Sequence, residues 1–189
     1  MKKVAIILYA LILGGCVNLK IKSELPKIDL YSLNTHSLVS SKCQGYKDIA
    51  LIGIESSTLY DTKDILIHSD DGKIQSMEGK KWVDFPKNML KDLLAQEASK
   101  QCILISLPPF GTSLPQKMLK LMILSFGIFT DKQPQAQLGL GYEIFIGGKK
   151  VDSGILINKK DTQGNPIQAL QEVSKMGIDK VSELFSKQK

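Results

Sequence analysis

Residues 82–107 read WVDFPKNMLKDLLAQEASKQCILISL, and the spacing of the apolar positions changes inside this run. Behind Trp82, Val83, Asp84, Phe85 and Pro86, apolar side chains fall at Met89, Leu90, Leu93, Leu94 and Ala98. Steps of three and four residues put these side chains on one face of a helix. Pro86 suits the first turn, where its missing N–H would have had no partner anyway. Asp84 favours the positive end of the helix dipole. The helix should stop near Lys100, and Cys102 to Leu107 then reads as a strand that Pro108-Pro109 ends. A helix followed at once by a strand makes this an α/β chain.

The flanking sequence extends the pattern. Upstream, Ile28 to Leu33 alternates apolar with polar, Ile49 to Ile54 is nearly continuous and apolar, and Ile65 to His68 is a third short strand. Asp70-Asp71-Gly72 marks a turn, with Lys73 to Met77 as a returning hairpin partner. Downstream, Leu119 to Phe129 is long and apolar, with Gly127 as an expected bulge. Gln137 to Ile146 alternates, Gly147-Gly148 is a hairpin turn, and Val151 to Ile157 returns. Asn165 caps a last helix that has Pro166 at its first position and an apolar face from Ile167 to Phe185. The expected architecture is a single-domain, two-layer α/β sandwich over residues 28–189: a mixed β-sheet with two amphipathic helices on one face. If 49–54, 86–99 and 102–107 form a parallel crossover, both strands start at the same sheet edge and Cys43 and Cys102 lie close together.

The first residues carry a different message. Met1-Lys2-Lys3 is basic, Val4 to Leu13 is uncharged, and Leu13-Gly14-Gly15-Cys16 follows. A basic start, a short apolar run and small residues before a cut compose a secretory signal. The run is too short to cross a hydrocarbon core of ~30 Å as a helix. Leu-Gly-Gly-Cys resembles the lipobox of bacterial lipoproteins, so residues 1–15 read as a signal peptide and Cys16 as the lipidated residue. Residues 16–27 then form the lipidated end and its tether. Several acyl chains at ~0.8 kcal/mol per buried CH₂ hold such a residue at a membrane. Val17 stands where an Asp would mark inner-membrane retention in enteric bacteria. The expected place is therefore the outer membrane, anchored by lipid and facing the periplasm, rather than the inner membrane.

With Cys16 assigned to lipid, Cys43 and Cys102 remain as an even pair in an oxidising compartment. They read either as a disulfide or as two separate buried thiols. The 189 residues carry 25 basic and 19 acidic side chains, and every basic one is Lys. Lys lacks the planar fork that grips phosphate and bases, and no basic cluster interleaves with aromatics, so nucleic acid is not an expected partner. His36 and His68 are not at metal-ligand spacing from each other or from cysteine, and His68 reads as a surface or strand-end residue. Asp61, Asp64, Asp70 and Asp71 lack the pattern of a Ca²⁺ loop. Gly139, Gly141, Gly147 and Gly148 sit among strands, not ahead of a helix where they could cradle phosphate. No catalytic residue, cofactor or metal is therefore expected. Trp82 reads as a core anchor or as a rim residue for a partner.

The run Lys81 to Pro86, with Met89-Leu90 and Leu93-Leu94 behind it, resembles the Trp-x-x-x-Pro-x-x-hydrophobic segment of the ABC-type transport auxiliary lipoproteins, a family that includes the lipoprotein of the paraquat-inducible operon. Tyr31-Ser32-Leu33 is similar to the Tyr-x-Leu that opens that family's domain, and Ile65 to His68 falls where it has a short apolar strand. Lys81 replaces the Arg that usually precedes the Trp. The resemblance implies a non-enzymatic subunit working beside an MCE-domain protein and an ABC permease/ATPase complex that moves phospholipid between the two membranes. It implies structural or partner roles for Trp82, Phe85 and Pro86. Two alternatives are a module that binds lipid or glycolipid within its own fold and an outer-membrane assembly lipoprotein of the lipopolysaccharide-export partner type; phospholipid is a further candidate partner. Cys16→Ala should abolish palmitate labelling and release the protein from the membrane fraction. A labelled, membrane-bound variant would refute the anchor.

Overall fold

The computed structural model describes residues 27–34, 43–111, 115–131 and 133–187. Cys16, the signal segment, most of the tether and His36 lie outside the described residues. Around a long central strand, the chain lays down β1 (Asp29–Tyr31), β2 (Lys47–Ser56), a 3-10 turn (Thr58–Tyr60), β3 (Asp64–Ser69), β4 (Ile74–Trp82), α1 (Pro86–Lys100), β5 (Ile103–Ser106), β6 (Lys117–Thr130), β7 (Gln135–Ile146), β8 (Lys149–Asp161) and α2 (Pro166–Lys187). The strands form one eight-stranded mixed sheet. The α/β sandwich read from the periodicity is the observed fold.

β6 is the centre because strands pair with it on both edges. One edge pairs antiparallel with β7 from Lys117 to Phe129. The other edge is shared. β2 runs parallel to its first half, from Ala50 opposite Met118 to Ser56 opposite Ile123, and β3 runs parallel to its end, from Ile67 opposite Ile128. The sheet therefore forks: β5 continues beyond β2, while β4 and β1 continue beyond β3. β2 and β5 are parallel neighbours, with Lys47 opposite Ile103, as the crossover expectation required. At the start of this pair Cys43 and Cys102 are joined, with Cα atoms 5.6 Å apart.

Local chemistry explains most element ends. Gly147 and Gly148 both have positive φ, which a two-residue type I′ hairpin demands and side-chain-bearing residues resist. The Asn165 carboxamide oxygen accepts from the Gln168 N–H and so caps α2. α1 starts differently. Phe85 occupies the capping position without a side-chain bond, and the preceding Asp84 accepts from the Phe85 N–H at 2.7 Å and from the Asn88 side chain. Those two bonds hold the Asp84 carboxyl below its usual range.

Two expectations need correction. The break in β6 falls between Ile123 and Ser125 rather than at Gly127. Gly127 answers another constraint: a Cβ there would lie 2.7 Å from the Leu66 carbonyl oxygen and against the His68 ring. The returning partner of β3 does not stop at Met77 but continues to Trp82. Trp82 is thus a strand residue rather than part of a loop, and its N–H donates to the Lys63 carbonyl.

Both helices cover one face of the sheet. α1 lies over β2 and β5, α2 over β7 and β8, and the two touch each other. Leu90, Leu94, Leu119, Leu121, Leu138, Leu140, Leu170 and Val173 fill the layer between. Trp82 is 1% exposed and stacks on Phe126, with ring centroids 5.7 Å apart. Trp82→Ala should cost about 3–5 kcal/mol by opening a cavity beside Phe126. Urea unfolding checks this, and a loss under about 1 kcal/mol would deny the ring its anchoring role.

Candidate binding cleft

On the helix-covered side, where β1 ends and α1 approaches α2, a cleft of about 650 Å³ opens. Tyr31 and Leu33 supply one wall, Leu93 of α1 a second and Ile167 of α2 a third. Volumes of this size accommodate small molecules. The polypeptide leaving β1 is held at the mouth by the Gln171 side chain, whose Nε2 donates to the Ser32 carbonyl at 2.7 Å. The Lys80 ammonium sits 6.0 Å from the Tyr31 ring centroid, placing one cation at the same mouth.

The polar part of the lining is a clasp between the helices. Glu97 stands on the buried face of α1 and is 5% exposed. Its carboxylate accepts from Lys100 at 2.7 Å and, across the helix interface, from Lys175 of α2 at 3.4 Å. Lys175 also holds Asp179 at 2.8 Å. Burial pushes the Glu97 carboxyl up, but the Lys100 hydrogen bond and the two ammonium charges outweigh it and hold the group below its usual range. Glu97 is therefore a fixed anion, suited to orienting a ligand and not to exchanging protons near neutrality.

Tyr31 and Leu33 of the Tyr-x-Leu motif line this cleft, whereas Trp82, Phe85, Pro86, Cys43 and Cys102 do not. Trp82 is closed off in the core. Phe85 is half-buried at the start of α1, with the Lys63 and Lys87 ammonium groups 5.6 and 5.8 Å from its ring centre, and Pro86 is buried at the first helical position. The acids of the 61–71 stretch are dispersed: Asp61 pairs with Lys87, Asp64 with Lys81, and Asp71 closes its own turn by accepting from the Lys73 N–H. Among the described residues no three His, Cys, Asp or Glu side chains converge as metal ligands.

His68 is not at a surface strand end either. It is 9% exposed, stacked on Phe129 at 4.3 Å, and near Tyr60 at 6.0 Å. Its Nε2 has no hydrogen-bond partner among the described residues. Burial lowers the imidazole's proton affinity, and the Phe126 backbone offsets this only in part. Sequence reasoning missed Glu97 and Lys175 as well. The available signal was Glu97 itself, an acid on the apolar stripe beside Leu93, Leu94 and Ala98.

Among the described residues no helix lies over the opposite face of the sheet, which exposes Ile52, Leu104, Met122, Leu124, Ile155 and Ile157. Among the described residues no helix is long and apolar enough to cross a membrane.

No family model matches the chain, and no curated protein matches it by sequence. Solved structures do share its fold. A crystal structure of an uncharacterized protein superposes with TM-score 0.65 at 11% identity, covering 85% of this chain and 97% of the other. Protein XCC0632 from Xanthomonas campestris, of family DUF330, superposes with TM-score 0.63 at 14% identity over 84% of this chain and 92% of its own. Identities this low establish a common fold.

The His68 environment yields a pH signature. Its folded-state affinity for a proton lies below that of the unfolded chain, so stability is full above about pH 6.5 and falls as the pH drops below it. His68→Gln keeps an N–H for the Phe126 backbone but cannot be charged, and should flatten the decline between pH 6.5 and 5. An unchanged slope in denaturant titrations at several pH values would exclude His68 as its source.

Proposed function

We propose that the chain is a non-enzymatic auxiliary lipoprotein of an MCE-type ABC transport system, held by Cys16 at the outer membrane so that its α/β domain can meet the transporter and assist phospholipid movement. The observation that carries this reading is the lipobox ending at Cys16 combined with the Trp82–Pro86 segment. In the structure that segment joins the buried end of β4 to the buried start of α1. A signature of this kind marks a family by its scaffold, and the contact surface for the transporter lies elsewhere on the domain. The ionised, doubly held Glu97 fits a binding part better than a proton-transfer site.

A second reading has its own support: the domain itself accepts a lipid in the cleft. Apolar walls at Leu33, Leu93 and Ile167 and the cation of Lys80 at the mouth suit an amphipathic molecule with an acidic head.

Two measurements separate these readings. Affinity capture of the full chain from solubilised membranes should return the MCE protein together with the permease and ATPase. Repeated capture without any of the three would reject the transport role. Native mass spectrometry should show phospholipid carried by the domain under the second reading, and Leu93→Trp, which fills the cleft, should remove it.

A further inference from the structure

Resting on the reading that the cleft takes a lipid, we infer that the head it recognises is an anionic polyol. The ligand is an amphiphile whose phosphodiester head carries one negative charge and neighbouring hydroxyls, as a phosphoglycerol head does. A head bearing an ammonium group is disfavoured.

Charge decides the first half of this assignment. Both carboxylates of the lining are taken. Glu97 accepts from Lys100 with one oxygen and from Lys175 with the other, and Lys175 also holds Asp179. Glu172 pairs with Lys160 through one oxygen and accepts from the Gln168 side chain with the other. Asp29, the cross-strand neighbour of Lys80, lies outside the lining and pairs with Lys27. Lys80 is the cation left over. Its ammonium makes no ion pair among the described residues and stands at the mouth over the Tyr31 ring. A head of one negative charge is neutralised there. A head that adds an ammonium group finds no open carboxylate and sets a like charge beside Lys80, so burying it costs more than it returns.

Carboxamides decide the second half. Asn165, Gln168 and Gln171 all line the cleft, and steps of three keep them on one side of the start of α2. The Asn165 Nδ2 donates to the Gln168 Oε1, the Gln168 Nε2 to Glu172, and the Gln171 Nε2 to the Ser32 carbonyl. A carboxamide has two N–H donors and two lone pairs on its oxygen. Each of the three therefore keeps one N–H and at least one lone pair for a ligand. Hydroxyls, which donate and accept at the same atom, match such a row; a bare alkyl head leaves it unused. Size sets where the tails go. At ~30 Å³ for a group the size of a water molecule, the cleft holds about twenty such groups. That admits a phosphoglycerol head and the first carbons of its chains against Leu33, Leu93 and Ile167, and the rest of the chains stays outside.

The test titrates the full chain, in a non-ionic detergent, with three dihexanoyl lipids that share their chains. Phosphatidylglycerol has the charge and the hydroxyls, phosphatidylethanol has the charge alone, and phosphatidylethanolamine adds an ammonium group. Calorimetry should show phosphatidylglycerol binding about tenfold more tightly than either of the others. Lys80→Gln should lose the margin over phosphatidylethanolamine and keep the margin over phosphatidylethanol. Gln168→Met, at an exposed position, should do the reverse, with thermal unfolding as in the wild type. Equal affinities, or a preference for the ethanolamine head, overturn the head assignment and leave the cleft a lipid site. Binding of none of the three lipids, or binding that Leu93→Trp does not remove, overturns the lipid reading together with it. Deacylated glycerophosphoglycerol binding as tightly as the lipid would make the ligand a soluble polyol phosphate and overturn the amphiphile.

Discussion

Two parallel strands laid end to end on one edge of β6 are the constraint from which the rest of the structure follows. β2 leaves that edge after Ser56 and β3 joins it at Ile67, so the backbone of β6 between them lacks a neighbouring strand on that side. Side chains serve there instead. Tyr60, from the 3-10 turn, and His68, from β3, both engage the Phe126 backbone. A gap in a buried ladder has to be closed, because unpaired peptide groups away from water cost as much as lost hydrogen bonds. Closing it with rings brings Tyr60, His68 and Phe129 together and leaves no room for a side chain at Gly127. Phe126 turns its own ring to Trp82, so one residue ties the gap to the core.

The fork also explains the division of labour between the helices. With β2 and β5 on one branch and β3, β4 and β1 on the other, two helices cannot cover every strand closely. α1 takes the β2–β5 branch and α2 takes β7 and β8. The cleft lies where neither helix meets β1. Glu97 and Lys175 bridge the helices beside it, a place where an apolar pair would pack equally well but would impose no register.

How much of this was legible in the sequence depended on whether the signal was local. Helix spacing from Met89 to Ala98, the Asn165–Pro166 start and the Gly147-Gly148 turn each depend on a few adjacent residues, and each was found. The order of strands in the sheet was not, because nothing in Ile49–Ile54 or Ile65–His68 states that both will share one edge of the same partner. Gly127 marks a special backbone position in the sequence, but its cause is Leu66 and His68, some sixty residues away, and not a bulge. His68 looked like a surface residue since its burial comes from Tyr60 and Phe129, neither of them adjacent in sequence. The cleft and the Glu97 clasp are likewise products of tertiary assembly.

The link between Cys43 and Cys102 has a mechanical side. If the chain is held at a membrane by Cys16, as proposed, movement of that membrane reaches the domain as a pull on β1. That strand is held to β4 by three register pairs and is the first piece to peel away. Tension would then travel along the chain towards β2, but at Cys43 it passes across the sulfur bridge into Cys102 and the start of β5. The paired starts of β2 and β5 would share the force as one body, so the sheet behind Cys43 keeps its shape. In that sense the bridge works as a stopper on a rope.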